Sequence, residues 1–102
     1  MADTRAIIAS KSQANTPSIA SAAVALASNE VRGRWHIQNL GTNPLFILLG
    51  TGASTTVFHY VIKGGTGNDD GLGGSVGQGE GTVFTGAITI AGTTPRYTAL
   101  EI

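Results

Sequence analysis

Two adjacent carboxylates, Asp69 and Asp70, sit inside the run GGTGNDDGL (Gly64 to Leu72) and are the first candidates for chemistry in this sequence. The run is one step from the G-G-x-G-x-D-x-U-x nonapeptide of parallel β-rolls, where U is a large apolar residue and calcium binds between successive turns. Gly71 stands where U is required, and the motif occurs once. One turn cannot build a site that needs its neighbour, and two carboxylates fall short of the roughly 6–8 oxygens calcium takes. A phosphate cradle fails as well. The run lacks the Lys-Ser/Thr of a P-loop and points two negative charges at the would-be anion. What remains is irregular backbone, a loop over residues 64–81 in which glycine permits conformations closed to other residues. Ordering so much glycine is costly, so the loop is expected to be mobile or fixed by a neighbouring subunit.

His36 and His59 are the only histidines, and both fall in strand-like runs. His59 could face Asp69 or Asp70 if the loop folds back. No G-x-S-x-G elbow accompanies them, and no spacing selects a serine for a triad. With no cysteine and no third histidine, a transition-metal centre is not expected either. Nothing positions an acid, base or nucleophile, so neither an enzyme nor a bound cofactor is expected. Arg34 and Arg96 each stand beside an aromatic residue, where they could bond carboxylates across subunits or stack at the surface. The aromatics Trp35, Phe46, Phe58, Tyr60, Phe84 and Tyr97 are read as strand residues that pack the core. A sugar-binding platform would need some of them exposed on one face.

Charge narrows the partners. Six basic and six acidic residues cancel, and the basic ones are scattered, which is no nucleic-acid footprint. Only 12% of residues are charged, so the surface is built largely from Ser, Thr, Gly, Ala and Asn, as suits an assembly. The longest apolar stretch, PLFILLG from Pro44, is too short for the ~20 residues of a membrane helix. MADTRAIIASKSQANT has no continuous apolar segment and carries Asp3, so it is read as no signal peptide, and the chain is expected to be made in a cytoplasm.

The elements that must position these residues follow from periodicity. Residues 1–16 are polar apart from Ala6, Ile7 and Ile8, and read as an extended arm whose small apolar patch could dock. SIASAAVALASNEV is Ala-rich, which suits helix, but Val24 and Leu26 alternate with Ala and favour a strand. In RWHIQNLG, Trp35, Ile37 and Asn39 alternate against Arg34, His36 and Gln38, the pattern of a half-buried strand. GTNP supplies a turn, LFILL reads as a strand covered on both faces, and together they predict a hairpin. TTVFHYVIK reads as the next strand, GTVFTGAITIAG as another with Gly86 at a bulge, and TTPRYTALEI as the last. Short strands between Gly/Pro/Asn turns predict an all-β fold, a small β-sandwich or barrel, in a single domain over 17–102.

Two stretches carry a resemblance. GRWHIQNLGTNPLFILLG (Gly33 to Gly50) resembles a segment of small tailed-bacteriophage structural proteins, and DDGLGG with FTGAITIAGTTPRYTALEI (Phe84 to Ile102) is similar to the C-terminal portion of phage head-fibre or capsid decoration (cement) proteins. The likeness covers residues 33–102 and leaves out the arm. It implies a β-sandwich or jelly-roll-like module on the outer surface of the virion head. There it would oligomerise, with a trimer at threefold positions as the first expectation, and clamp neighbouring major capsid subunits. No catalytic residues come with it. On this reading Ala6, Ile7, Ile8, Arg34, Asp69, Asp70 and Arg96 supply capsid or intersubunit contacts, while Trp35, Leu45, Ile47, Phe58, Val83 and Ile88 pack the core. Weak contacts repeated over a lattice would gain avidity. The alternative is a tail or head-fibre module that adheres to host-surface glycans.

Overall fold

A computed structural model describes residues 22–79 and 81–101. The expected arm, with Ala6, Ile7 and Ile8, lies outside the described residues, as does Ile102. Among the described residues there is no helix, and the strands are β1 (Ala22–Leu26), β2 (Trp35–Asn39), β3 (Leu45–Leu49), β4 (Tyr60–Ile62), β5 (Ser75–Gln78), β6 (Ile88–Ala91) and β7 (Tyr97–Glu101). They form two antiparallel sheets, one ordered β1-β6-β3-β4 and the other β5-β2-β7. The chain is all-β, as its alternating patterns predict.

Period two decides what each strand buries. In β2, Trp35, Ile37 and Asn39 turn inward while His36 is exposed and Gln38 half-buried. Leu45 and Ile47 of β3, Ile88 and Ile90 of β6, and Tyr97 and Ala99 of β7 meet them in a single core. Each fully buried Ile or Leu contributes roughly 1.5–3 kcal/mol, so these inward rows are the main source of stability. Trp35, Leu45, Ile47 and Ile88 fill the core as expected, and Val83 packs against it half-buried.

Phe58 does not join them. It is 39% exposed and meets Phe46 edge to face, with ring centroids 5.0 Å apart. The reason lies in the turn before it. Ser54 Oγ accepts from the Thr56 and Val57 amides, and Ser54 and Val57 exchange main-chain bonds, so the strand expected from Thr55 begins only at Tyr60. Residues 50–59 instead lie over the outer face of the larger sheet. The Ala53 amide donates to Thr89 Oγ1, which itself donates to the Gly50 carbonyl. This segment leaves the outward Phe46 and Leu48 half-buried, so of LFILL only Leu45 and Ile47, on the inner side, are fully covered.

The hairpin expected from RWHIQNLG and LFILL does not form. β2 pairs with β5 and β7, whereas β3 pairs with β4 and β6, so GTNP carries the chain from one sheet to the other. Asn39 explains the switch. Its side chain is buried at 2% exposure, and its amide donates to the carbonyls of Asn43, Ile62 and Lys63 while its Oδ1 accepts from the Gly41 amide. One polar side chain thus ties the end of β2, the connection and the end of β4 together, and a buried amide is retained only when so satisfied.

Arg32 closes the opposite end. Val31 beside it is 78% exposed, yet Arg32 is buried, with Nε donating to Glu101 Oε1 at 2.8 Å. NH1 donates to the carbonyls of Phe84 and Gly86, and NH2 to that of Ala27. The guanidinium fork satisfies three loop carbonyls and one carboxylate at once. Gly86 precedes β6 rather than bulging within it, and the Phe84 ring fills the space a side chain there would need.

Candidate functional site

Three loops converge at the Asn39 end of the molecule: residues 40–44, 64–74 and 92–96. The Leu40 amide donates to the Arg96 carbonyl, the Gly65 amide to the Gly41 carbonyl and the Asp69 amide to the Leu40 carbonyl. Asn43 Nδ2 donates to the Thr93 carbonyl. The two stretches that carry the phage resemblance therefore meet here, through GTNP on one side and GTTPR on the other.

The glycine-rich stretch is built for close approach. A side chain at Gly64 would overlap the Thr42 carbonyl, one at Gly73 the Asn39 carbonyl, and one at Gly74 the Ile62 side chain. The Gly74 amide donates to the Lys63 carbonyl and its own carbonyl accepts from Asn39, so main chain bridges the two sheets at this corner. Half-way through, the loop that was expected over 64–81 becomes strand β5, paired to β2. Up to β5 its own chain supplies partners, the carbonyls of Gly41, Leu40 and Lys63.

Asp69 and Asp70 act as loop fasteners. Asp70 Oδ2 accepts from the Thr66 and Gly67 amides and the Thr66 hydroxyl, and Oδ1 accepts from the Leu72 amide. These donors, with the Leu72 amide foremost, hold the Asp70 carboxyl down at about 2. Asp69, at a φ of 59°, takes the left-handed backbone that Asp tolerates better than most side chains. Both its oxygens meet Arg96, Nε–Oδ1 at 2.7 Å and NH2–Oδ2 at 2.6 Å, and this paired bonding lowers the Asp69 carboxyl and raises the Arg96 guanidinium. A two-point fork fixes orientation as well as distance. Exposed ion pairs add little stability, so the pair acts chiefly by position.

Of the residues singled out for contact, Asp69, Asp70 and Arg96 come together here. Arg96 finds its carboxylate within the chain, on an adjoining loop. Arg34 stands at the other end of β2, where with Trp35, His36, Gly77, Gln78 and Gly79 it lines a shallow open depression of about 390 Å³. Ala6, Ile7 and Ile8 lie outside the described residues. His59 does not turn to Asp69 or Asp70; its Nδ1 accepts from the Leu49 amide at 3.0 Å. The carboxylates of GGTGNDDGL have their oxygens turned to backbone amides and a guanidinium, an arrangement that holds a loop rather than gathers a cation.

Sequence reasoning missed Arg32 and Asn39, the two buried polar residues that organise the ends. For Asn39 a signal exists: it continues the inward row of Trp35 and Ile37, and an amide in such a row must find partners. No protein family, curated protein or solved structure matches the chain.

Proposed function

We propose that this protein is a virion structural protein of the capsid decoration or cement class, which binds the outside of a phage head and stabilises contacts between major capsid subunits. The observation that carries the reading is the three-loop end. The residues of both phage-like stretches meet in one surface, and its carboxylates and arginine brace loops against each other. A braced surface whose carboxylates and arginine already have partners within the chain suits contact by shape and repeated copies. In this reading the two sheets are the halves of a β-sandwich of jelly-roll type, the arm over residues 1–16 reaches the major capsid protein, and the copies cluster as a homo-oligomer, a trimer at threefold positions.

Two measurements test it. Quantitative mass spectrometry of purified particles gives the copy number of this chain against the major capsid protein. A ratio matching the lattice supports decoration, a handful of copies moves the assignment to tail or fibre, and absence refutes both. Deleting residues 1–16 abolishes capsid binding and leaves the fold intact if the arm docks; unchanged binding removes its assigned role. The glycan reading draws on Phe58, an aromatic ring 39% exposed and propped by Phe46. Glycan-array binding that disappears with Phe58→Ala would favour it over decoration.

A further inference from the structure

Strand β5 forms one edge of the smaller sheet. The Asn39 amide donates to the Gly74 carbonyl and the Leu40 amide to the Arg96 carbonyl, in register with the β2–β5 and β2–β7 ladders. Antiparallel ladders alternate residues that exchange main-chain bonds with residues that do not. From Asn39 and Gly74 the bonded pairs of β2 and β5 are therefore Ile37 with Val76 and Trp35 with Gln78. It follows that the N–H and C=O of Ser75 and Gly77 point away from β2, to the open edge. Among the described residues neither has a main-chain partner there.

Open edges are usually blunted by charge, proline or a bulge. β5, Ser75-Val76-Gly77-Gln78, has none of these. The other edges differ: β1 has a register break between Val24 and Leu26, β4 has only three residues, and β7 ends in Glu101 and lies beside β1.

We propose that β5 pairs antiparallel with β5 of a second copy across a two-fold axis at Val76, making one continuous six-stranded sheet. The strand is complementary to itself in that register. Ser75 exchanges both main-chain bonds with Gly77 of the second copy and Gly77 does so with its Ser75, giving four bonds in all. The strand is uncharged, so like charges do not meet. Half-buried Val76, which already packs against the core, gains its own counterpart as an apolar neighbour. The contact is smaller than the ~1,200 Å² of a stable free-standing dimer, so it is weak in solution and gains by avidity wherever copies are held side by side. It stands apart from the threefold clustering proposed above and would join one cluster to the next.

The cysteine-free sequence offers a direct test. Residues directly opposite in a non-bonded antiparallel pair have Cα atoms ~4.5 Å apart, within disulfide range. Under air oxidation Val76→Cys should therefore form an intermolecular disulfide roughly tenfold faster than Ser75→Cys, whose counterpart lies two pairs further along. Adding Ser75→Pro to Val76→Cys should return the rate to that of Ser75→Cys, since it removes an outward N–H and leaves the β2 ladder intact. Circular dichroism verifies that each variant is folded. Equal rates for the two cysteine variants overturn the proposal, as does a rate unchanged by Ser75→Pro. Cross-linking of Val76→Cys chiefly to another protein in a particle preparation also overturns it.

Discussion

Replacing Arg32 with alanine tests the account of how the fold is closed. The Arg32 side chain has no exposure and Glu101 keeps 13%. Removal takes donors from the carbonyls of Ala27, Phe84 and Gly86 and leaves Glu101 with only the longer 3.3 Å bond from Asn29. Breaking one side of a buried pair costs ~3–5 kcal/mol, chiefly because the abandoned charge stays desolvated. A domain of this size has only ~5–15 kcal/mol in all. At ~4–8 °C per kcal/mol, Arg32→Ala should lower Tm by roughly 12–40 °C. Urea unfolding should show the midpoint falling with little change in slope, which marks lost stability rather than a changed denatured state. Arg32→Met with Glu101→Leu should recover the part of the loss that comes from the stranded charge, while the undonated carbonyls of Ala27, Phe84 and Gly86 keep their cost. A loss of less than about 1 kcal/mol for Arg32→Ala would refute the role assigned to this residue.

Gly73→Ala should cost about 1–3 kcal/mol by forcing the backbone off the Asn39 carbonyl, whereas Gly79→Ala, with open space around it, should be neutral or slightly stabilising; urea midpoints separate the two. Asn39→Ala leaves the Gly41 amide without its acceptor and takes a donor from the carbonyls of Asn43, Ile62 and Lys63, the last of which keeps the Gly74 amide; it should cost roughly 2–4 kcal/mol, with faster amide exchange at Gly41 and Asp69. Asp70 is depressed, so its contribution is fully present above the ordinary carboxylate range and is lost as pH falls from ~4 through about 2. Carboxyl carbon shifts should follow that window for Asp70, and Thr66→Val should move its midpoint upward; a midpoint at the ordinary value in the parent protein contradicts the loop geometry.

How much was legible depended on whether a residue's fate was local. The alternation of Trp35, Ile37 and Asn39 gave β2 its inward face, because a pleated strand alone dictates it. LFILL was legible as a strand, but its pairing was not: a Gly-Asn-Pro turn suits a hairpin equally well, and the buried Asn39 amide that turns the chain across the core acts through distant carbonyls. β5 was hidden because Ser75, Gly77 and Gln78 have little strand preference, and only β2 beside them makes the strand. Hydropathy reversed the order at Val31 and Arg32, since a guanidinium enters the interior only where three carbonyls and a carboxylate already wait. At the loop end, Asp69, Asp70 and Arg96 were picked out by type, while their division into an ion pair and a loop fastener depended on which loops meet.

The switch between sheets after β2 has a consequence for how the molecule comes into being. Among the described residues it leaves β3 with β4 as the one pairing of neighbouring strands; β1 waits for β6, and β2 waits for both β5 and β7. Trp35 cannot complete its ladder until Glu101, far along the sequence, has arrived. Distant pairings of this kind make folding slow, because loop closure must precede any reward. A growing chain would emerge with its apolar strands made and their partners still to come, so the domain folds as a whole once β7 has been made or not at all. Removing β7 should therefore cost the entire fold, whereas the loss of an outer strand from a simple meander would cost only its edge.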